Sequence, residues 1–519
     1  MVERTLVTGA RLVSLGGAPW DVPPGREPAV DVRIEHGLIT EVGPRLPRHG
    51  EEVIEAGGRW VIPGLWDAHV HLGQWAAAGS RLDVSGTDGP EAVTAILADH
   101  LAEVSRAPAI IGGEGVTGPT LSPWEIPVLE GFGYRTAGWS RQPSTAELDA
   151  VVGDRPVVLI SGDCHTGWLS SAAYRLLGEM PRAGAVDEDE WFDLYFKVEQ
   201  LPVPPARLRE RYAKAIDRAA ALGVVGIVDL EFADGWLDWP ARFDDGLDAL
   251  RVRAATYPPG LDGVIAAGLR TGQPLHPSGL VEMGPLKVIS DGSLNTRTAY
   301  CCTPFVTDDH LDHPRGKLNV DGAELTALIG RAHDHGLEAA IHAIGDAALA
   351  GALDAFEVTG TRGSIEHAQL VDFADLPRMA RLGVRGSVQP AHLLDDRDTA
   401  ESIWPDRLDR CFAYASMRRA GVELRLGSDA PVAPLDPWLA MDAAVRRAPP
   451  GHDPWTPHEA LTPGQALAAS TDGVIALGVG GRADLVLLDD HPLLVADGPG
   501  LKGVRVAATL RAGALTYGT

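Results

Sequence analysis

Two histidines, His69 and His71, stand two residues apart in the run Pro63-Gly64-Leu65-Trp66-Asp67-Ala68-His69-Val70-His71. In a β-strand, positions i and i+2 face the same side, so both imidazoles can aim a nitrogen at one cation from one strand end. A His-x-His pair carries little weight alone, because such pairs also arise by chance. Four later residues add to it: Lys287 in GPLKVISDGS, His342 in EAAIHAIGD, His367 in GSIEHAQ and Asp429 in LRLGSDAPV, each in or just after an apolar run. Each has a bland alternative. A strand-end histidine is commonly a satisfied polar group, an aspartate before Ala-Pro a turn former or helix cap, and Lys287 a buried lysine paired with an acid such as Asp291. Taken jointly, imidazoles plus a carboxylate suit a divalent cation: Zn²⁺ first, with Mn²⁺, Fe²⁺ or Ni²⁺ as alternatives in the absence of a thiolate. Such a cation activates water and polarises a carbonyl, while a neighbouring carboxylate moves protons, which is the chemistry of hydrolysis.

The positioning of these residues depends on the strands that carry them. Apolar β-branched runs alternate with Ala/Leu/Arg-rich helical stretches such as 206–222, 321–335 and 346–357, a pattern of βα units and a parallel sheet. Eight strands are predicted near 65–70, 224–229, 252–256, 286–290, 338–342, 364–367, 384–388 and 424–428, the number that closes a (β/α)₈ TIM barrel. The six candidate metal-binding residues then fall at the ends of five strands, one, four, five, six and eight, which converge on one face. The gap of about 72–223 between strands one and two is far longer than a βα connection and reads as an inserted subdomain, with the apolar VVLI of 157–160 left outside the barrel count. Residues 1–60 and 475–519 share a texture of short strands and turns, predicting a small β-sandwich built from both chain ends around a barrel of residues 61–474.

Composition narrows the partners. Forty-five Lys and Arg stand against 71 Asp and Glu, a formal charge of −26 in 519 residues. With no basic cluster, nucleic acid and anionic membranes are disfavoured, leaving a small-molecule substrate. Four cysteines without Cys-x-x-Cys spacing give neither a disulfide framework nor a zinc ribbon. The N-terminus lacks the apolar core of a secretory signal, and no run reaches the length of a membrane span, so a cytoplasmic protein is expected. A homodimer is one expected assembly, without physical warrant in the sequence.

The run GRWVIPGLWDAHVH at 58–71, the later Lys, two His and Asp, and the closing ADLVLLDDHPL resemble the amidohydrolase superfamily of metal-dependent hydrolases. Within it, LKVISDGSLNTRTAYCCTPF, IHAIGDAAL, IEHAQLV, SVQP and GSDAPV resemble the family 3 branch, which includes N-substituted formamide deformylase. The resemblance implies a (β/α)₈ barrel with a terminal β-sandwich. It implies that His69, His71 and Asp429 bind one metal and His342 and His367 a second, bridged by Lys287 after carboxylation by CO₂. An ammonium has no acceptor, whereas a carbamate supplies two oxygens and a negative charge. If Lys287 is unmodified, a single metal on His69, His71, one further His and Asp429 is expected instead. Asp429 is the expected base, taking a proton from the attacking water and delivering it to the leaving nitrogen.

Further candidates follow. His165, in ISGDCHTGWLSSAAY, resembles a histidine of that branch and is a substrate-binding or oxyanion-stabilising candidate, its alternative being a surface or capping role. Asp291, Asn295 and Arg297 are candidates for orienting Lys287 or holding substrate. Trp124, Trp139 and Trp168 read as packing residues of the insertion in preference to a substrate wall. His313, His333, His335, His452 and His458 fall off the strand ends and read as surface residues. The stretch 180–200 departs from the glycine-rich turns of the branch, which leaves pocket shape and substrate open. The expected reaction is therefore hydrolysis of a C–N bond in an amide, formamide, N-acyl or cyclic amide. A lactone or ester hydrolase shares the ligand set, and a non-catalytic scaffold would be expected to have lost ligands. A deaminase of the superfamily would carry a glutamate three residues after the strand-five histidine, where this chain has Gly345, with Asp346 next.

Overall fold

The computed structural model describes residues 4–15, 23–106, 128–134, 136, 139–161, 166–201, 203–306, 311–449, 451–495 and 500–518. Two compact units result, one of residues 1–75 with 212–519 and one of residues 76–211.

The first unit contains eight parallel strands: β1 (Leu65–Val70), β2 (Val224–Asp229), β3 (Arg251–Thr256), β4 (Val281–Ile289), β5 (Ala339–Ala343), β6 (Gly363–His367), β7 (Arg385–Val388) and β8 (Leu424–Leu426). They pair in chain order from β1 to β8. The ring closes just past β8, where the Asp429 N–H donates to the His69 carbonyl at 2.7 Å and the His71 N–H to the Ala430 carbonyl at 3.0 Å. Closure there requires a glycine, because a Cβ on Gly427 would lie 2.7 Å from the His69 nitrogen and 2.8 Å from its Cβ. The eight sequence-read strands are the eight of this TIM barrel; β4 begins five residues earlier than expected.

Helices between the strands bury one face against the barrel. Gly322–Asp334, between β4 and β5, starts where the Asp321 carboxylate accepts from the Ala323 and Glu324 N–H groups. It buries Leu325, Ile329 and Ala332, four and three residues apart, as one stripe of a 3.6-residue period. Strands from the two chain ends join one eight-stranded sheet, in the order Ala514–Gly518, Val506–Arg511, Leu485–Leu488, Trp60–Pro63, Arg4–Leu12, Ala29–Glu35, Leu38–Gly43, with Glu52–Glu55 also on Arg4–Leu12. Val7, Val32, Val61, Leu485 and Leu510 form its core.

The second unit is a five-stranded sheet ordered Val186–Asp187, Thr166–Leu169, Val157–Ser161, Leu129–Tyr134, Leu82–Asp83. The VVLI run is thus a central strand of the insertion. Trp139 and Trp168 pack against Tyr134, and their indole N–H groups donate to the carbonyls of Thr87 and Ser144 at 2.9 and 3.0 Å, so both serve the core of this unit. Trp124 lies outside the described residues. Among the described residues no helix is long and apolar enough to cross a membrane.

Candidate metal centre

At the C-terminal ends of the barrel strands a cavity of about 470 Å³ is lined by His69, His71, Lys287, His342, His367 and Asp429, with Asn295, Gln369, His392, Asp395 and Asp396 among the others. His69, His367 and Asp429 each bring a ligand atom to within 4.8 Å of the other two. His71 approaches the same carboxylate, with Nε2 3.4 Å from Asp429 Oδ1, beside His69 Nε2 at 3.3 Å. His342 packs on His367 with ring centroids 4.4 Å apart. The tight triad therefore takes two residues, His69 and Asp429, from one of the ligand sets inferred from resemblance and one, His367, from the other. Register explains the layering: Ile289 pairs with His342 and His342 with Glu366, whereas Lys287 pairs with Ala340, one inward step deeper.

Local backbone geometry matches a functional site. His367 and Asp429 hold φ of 70° and 57°, left-handed values that cost non-glycine residues free energy and persist where surroundings impose them. Asp67 ties the seam between β1 and the β8 end, its Oδ1 accepting from the His69 and Ser428 N–H groups at 3.0 Å each. Burial raises the Asp67 pKa to about 6, those hydrogen bonds opposing it.

The electrostatics leave His342, His367 and Asp429 in the protonation states that metal binding needs. Burial, helped by Lys287, lowers the His342 pKa to about 3, and burial with His342 puts His367 well below its ordinary value, so both imidazoles are neutral. Burial would raise Asp429, but His69 and His71 more than offset it and keep the carboxylate ionised. Burial and Lys287 push the His69 pKa down, while Asp429 and Glu366 outweigh them and raise it. The Nδ1 of His69 faces Glu366 Oε2 at 2.8 Å, both groups buried. With a cation bound, Glu366 would keep the Nδ1 proton and leave Nε2 free to ligate, the carboxylate–histidine arrangement that orients metal ligands. Three buried nitrogens, His71 Nδ1, His367 Nδ1 and Lys287 Nζ, have no hydrogen-bond partner among the described residues. Neutral imidazoles, an ionised carboxylate and unpartnered nitrogens fit a divalent cation.

Lys287 is 2% exposed, and burial lowers its pKa against the attraction of Glu366 and Asp429. It is not paired with Asp291. That carboxylate accepts from the N–H groups of Tyr300, Ile344 and Gly345 at 2.9–3.1 Å and lies 3.4 Å from His342 Nε2, with its pKa raised by burial to about 7. Asp291 thus positions His342. Asn295 lines the cavity and donates to Asp396, whereas Arg297 is not among the lining residues. His165 lies outside the described residues. Reading from sequence missed Glu366, Gln369 and His392. The fragments IEHAQ and SVQP contain or adjoin all three, and that adjacency was the available signal. His392 is 8% exposed, and its Nε2, 3.8 Å from Asp429 Oδ2, makes no hydrogen bond among the described residues.

Comparison with known proteins is consistent with this centre. The amidohydrolase family model, in its third division, matches residues 52–517. The chain belongs to the amidohydrolase family. N-substituted formamide deformylase of Arthrobacter pascens is 27% identical over 94% of this chain and 94% of its own. A putative amidohydrolase of Bacillus subtilis, YtcJ, is 27% identical over 80% of each chain. Among solved structures, a metal-dependent hydrolase of Pyrococcus horikoshii superposes with a TM-score of 0.75 at 25% identity, covering 96% of this chain and 99% of that one. This family member is a hydrolase with a His/His/Asp constellation able to hold a metal.

Proposed function

We propose that this amidohydrolase cleaves the C–N bond of a small amide, formamide, N-acyl or cyclic amide compound. One observation carries the reading: His69, His367 and Asp429 converge within 4.8 Å in a cavity that also contains the buried Lys287 amine, unpartnered among the described residues. The residues that would hold the metal are His69, His71, Asp429, His342 and His367, with zinc the first choice. A bound divalent cation supplies Lewis acidity to a carbonyl and lowers the pKa of a water. Asp429, held ionised by His69, takes the proton of the attacking water and returns it to the departing nitrogen. Glu366 keeps His69 in one tautomer. Lys287, shifted by burial toward its neutral amine, has the nucleophilic form that adds CO₂; the lone pair forms the N–C bond, one N–H proton leaves, and the carbamate gains acceptor oxygens.

Against deamination, a side chain at position 345 would meet backbone: a Cβ there would lie 2.0 Å from the Tyr300 carbonyl oxygen. The test is metal content per protomer by mass spectrometry on protein purified without added metal or chelator, followed by hydrolysis of amide and ester panels. About two equivalents, falling on His342→Ala, support a binuclear centre; one equivalent supports the mononuclear alternative. Absence of metal, with no activity after adding zinc, removes the hydrolase mechanism proposed here.

A further inference from the structure

One wall of the cavity is a hydrogen-bonded assembly drawn from three connections that the metal chemistry leaves unused. Asn295 follows β4, Gln369 follows β6, and Asp396 lies in the helix His392–Ile403 after β7. Asp396 is 7% exposed; its Oδ1 accepts from Asn295 Nδ2 at 3.1 Å and its Oδ2 from Gln369 Nε2 at 2.6 Å. A carboxylate that accepts from both sides fixes which way each amide points. The Gln369 NH₂ is committed to Asp396, so its Oε1 is held on the opposite side. Gln369 is 3% exposed and lines the cavity, and Oε1 accepts no hydrogen bond among the described residues. Leaving a buried amide oxygen without a donor is unfavourable, and a substrate N–H can relieve it.

Resting on the hydrolase reading above, we propose that Gln369 Oε1 accepts the N–H of a secondary amide, making Gln369 a specificity-determining residue that selects N-monosubstituted amides. An ester offers an oxygen lone pair where the N–H should be, setting acceptor against acceptor. An N,N-disubstituted amide offers a carbon. Either analogue buries Oε1 unsatisfied, and a site built around one hydrogen bond rejects the analogue that lacks it. The Asp396 brace matters because a freely turning glutamine would offer its NH₂ to an ester equally well.

The experiment uses matched formyl and acetyl sets, each a secondary amide, its N-methyl counterpart and the corresponding ester, on the metal-containing enzyme. Wild-type kcat/KM for the secondary amide should exceed that for the N-methyl amide by about 30-fold or more. Gln369→Met should bring that ratio to within about 3-fold by slowing the secondary amide alone, with metal content unchanged. Asp396→Asn, isosteric and safer for folding, frees the Gln369 amide to turn and should narrow the same ratio. A wild type that treats both amides alike, or variants that keep the wild-type ratio, would overturn the proposal. A metal-containing wild type inert on every member would instead overturn the hydrolase reading beneath it.

Discussion

The two mouths of the barrel enclose similar volumes and opposite chemistry. At the N-terminal ends of the strands a cavity of about 510 Å³ is lined by Arg253, Glu282, Glu338, Arg385, Glu423, Arg425 and Asp472 among others. Its charges answer one another: Arg253 meets Asp472 at 2.8 Å, Arg385 meets Glu338 at 2.6 Å, and Arg425 reaches both Glu423 and Asp472. Of its described buried atoms, Ser387 Oγ and Arg425 Nη1 lack a hydrogen bond, and the latter still lies 3.7 Å from Asp472. The C-terminal cavity, about 470 Å³, leaves His71, Lys287, His367, Gln369 and His392 each with a buried atom that has no hydrogen-bond partner among the described residues. Volume does not separate the two, whereas unsatisfied atoms do. A mouth whose polar groups are paired serves stability, and one whose polar groups await partners is ready for ligands, as expected for the two faces of such barrels.

The contrast can be broken most forcefully at Asp429. Asp429→Asn should lower kcat by about 10³-fold or more while most metal is retained, measured by steady-state kinetics beside mass-spectrometric metal content. Normal turnover in that variant would remove the proposed base. Next comes the pH response of the metal-free protein. Asp67 has its folded pKa raised to about 6 by burial, so its contribution is fully present below the unfolded value and is lost as pH rises through 6. Two pH units correspond to about 3 kcal/mol, and Asp67→Asn should flatten denaturant-derived stability between about pH 4 and 6. A third effect is expected at Glu366→Gln, which weakens the grip on His69 Nδ1 and should cost about 10- to 100-fold in metal affinity in chelator competition. The smallest lies at the other mouth. Arg253→Met breaks a two-pronged pair with Asp472 and contact with the Trp66 ring, and should cost about 1 kcal/mol in thermal or denaturant unfolding, leaving kcat and metal content unchanged. A large loss of activity there would erase the distinction between the mouths.

The residues that share the cavity were legible in the chain because each sits in or just after an apolar run, and a parallel barrel sends the C-terminal ends of such runs to one face. His69, His71, Lys287, His342, His367 and Asp429 all line the one cavity. Asp291 was singled out by its nearness to Lys287, yet the structure gives it to His342 and three backbone N–H groups, since a loop can turn a side chain away from its sequence neighbour. Arg297 shared the same neighbourhood without reaching the cavity lining.

What the sequence determined by itself was the inventory: eight strands, their order, and the residue types at their C-terminal ends, because periodicity and residue chemistry are local properties. Tertiary structure alone decided which atoms are paired. Glu366 meets His69 across 297 residues, Gln369 meets Asp396 across 27, and Gly427 lets the barrel seam close over His69. Hydrogen-bond satisfaction depends on distances between segments remote in the chain, and no local pattern encodes those distances.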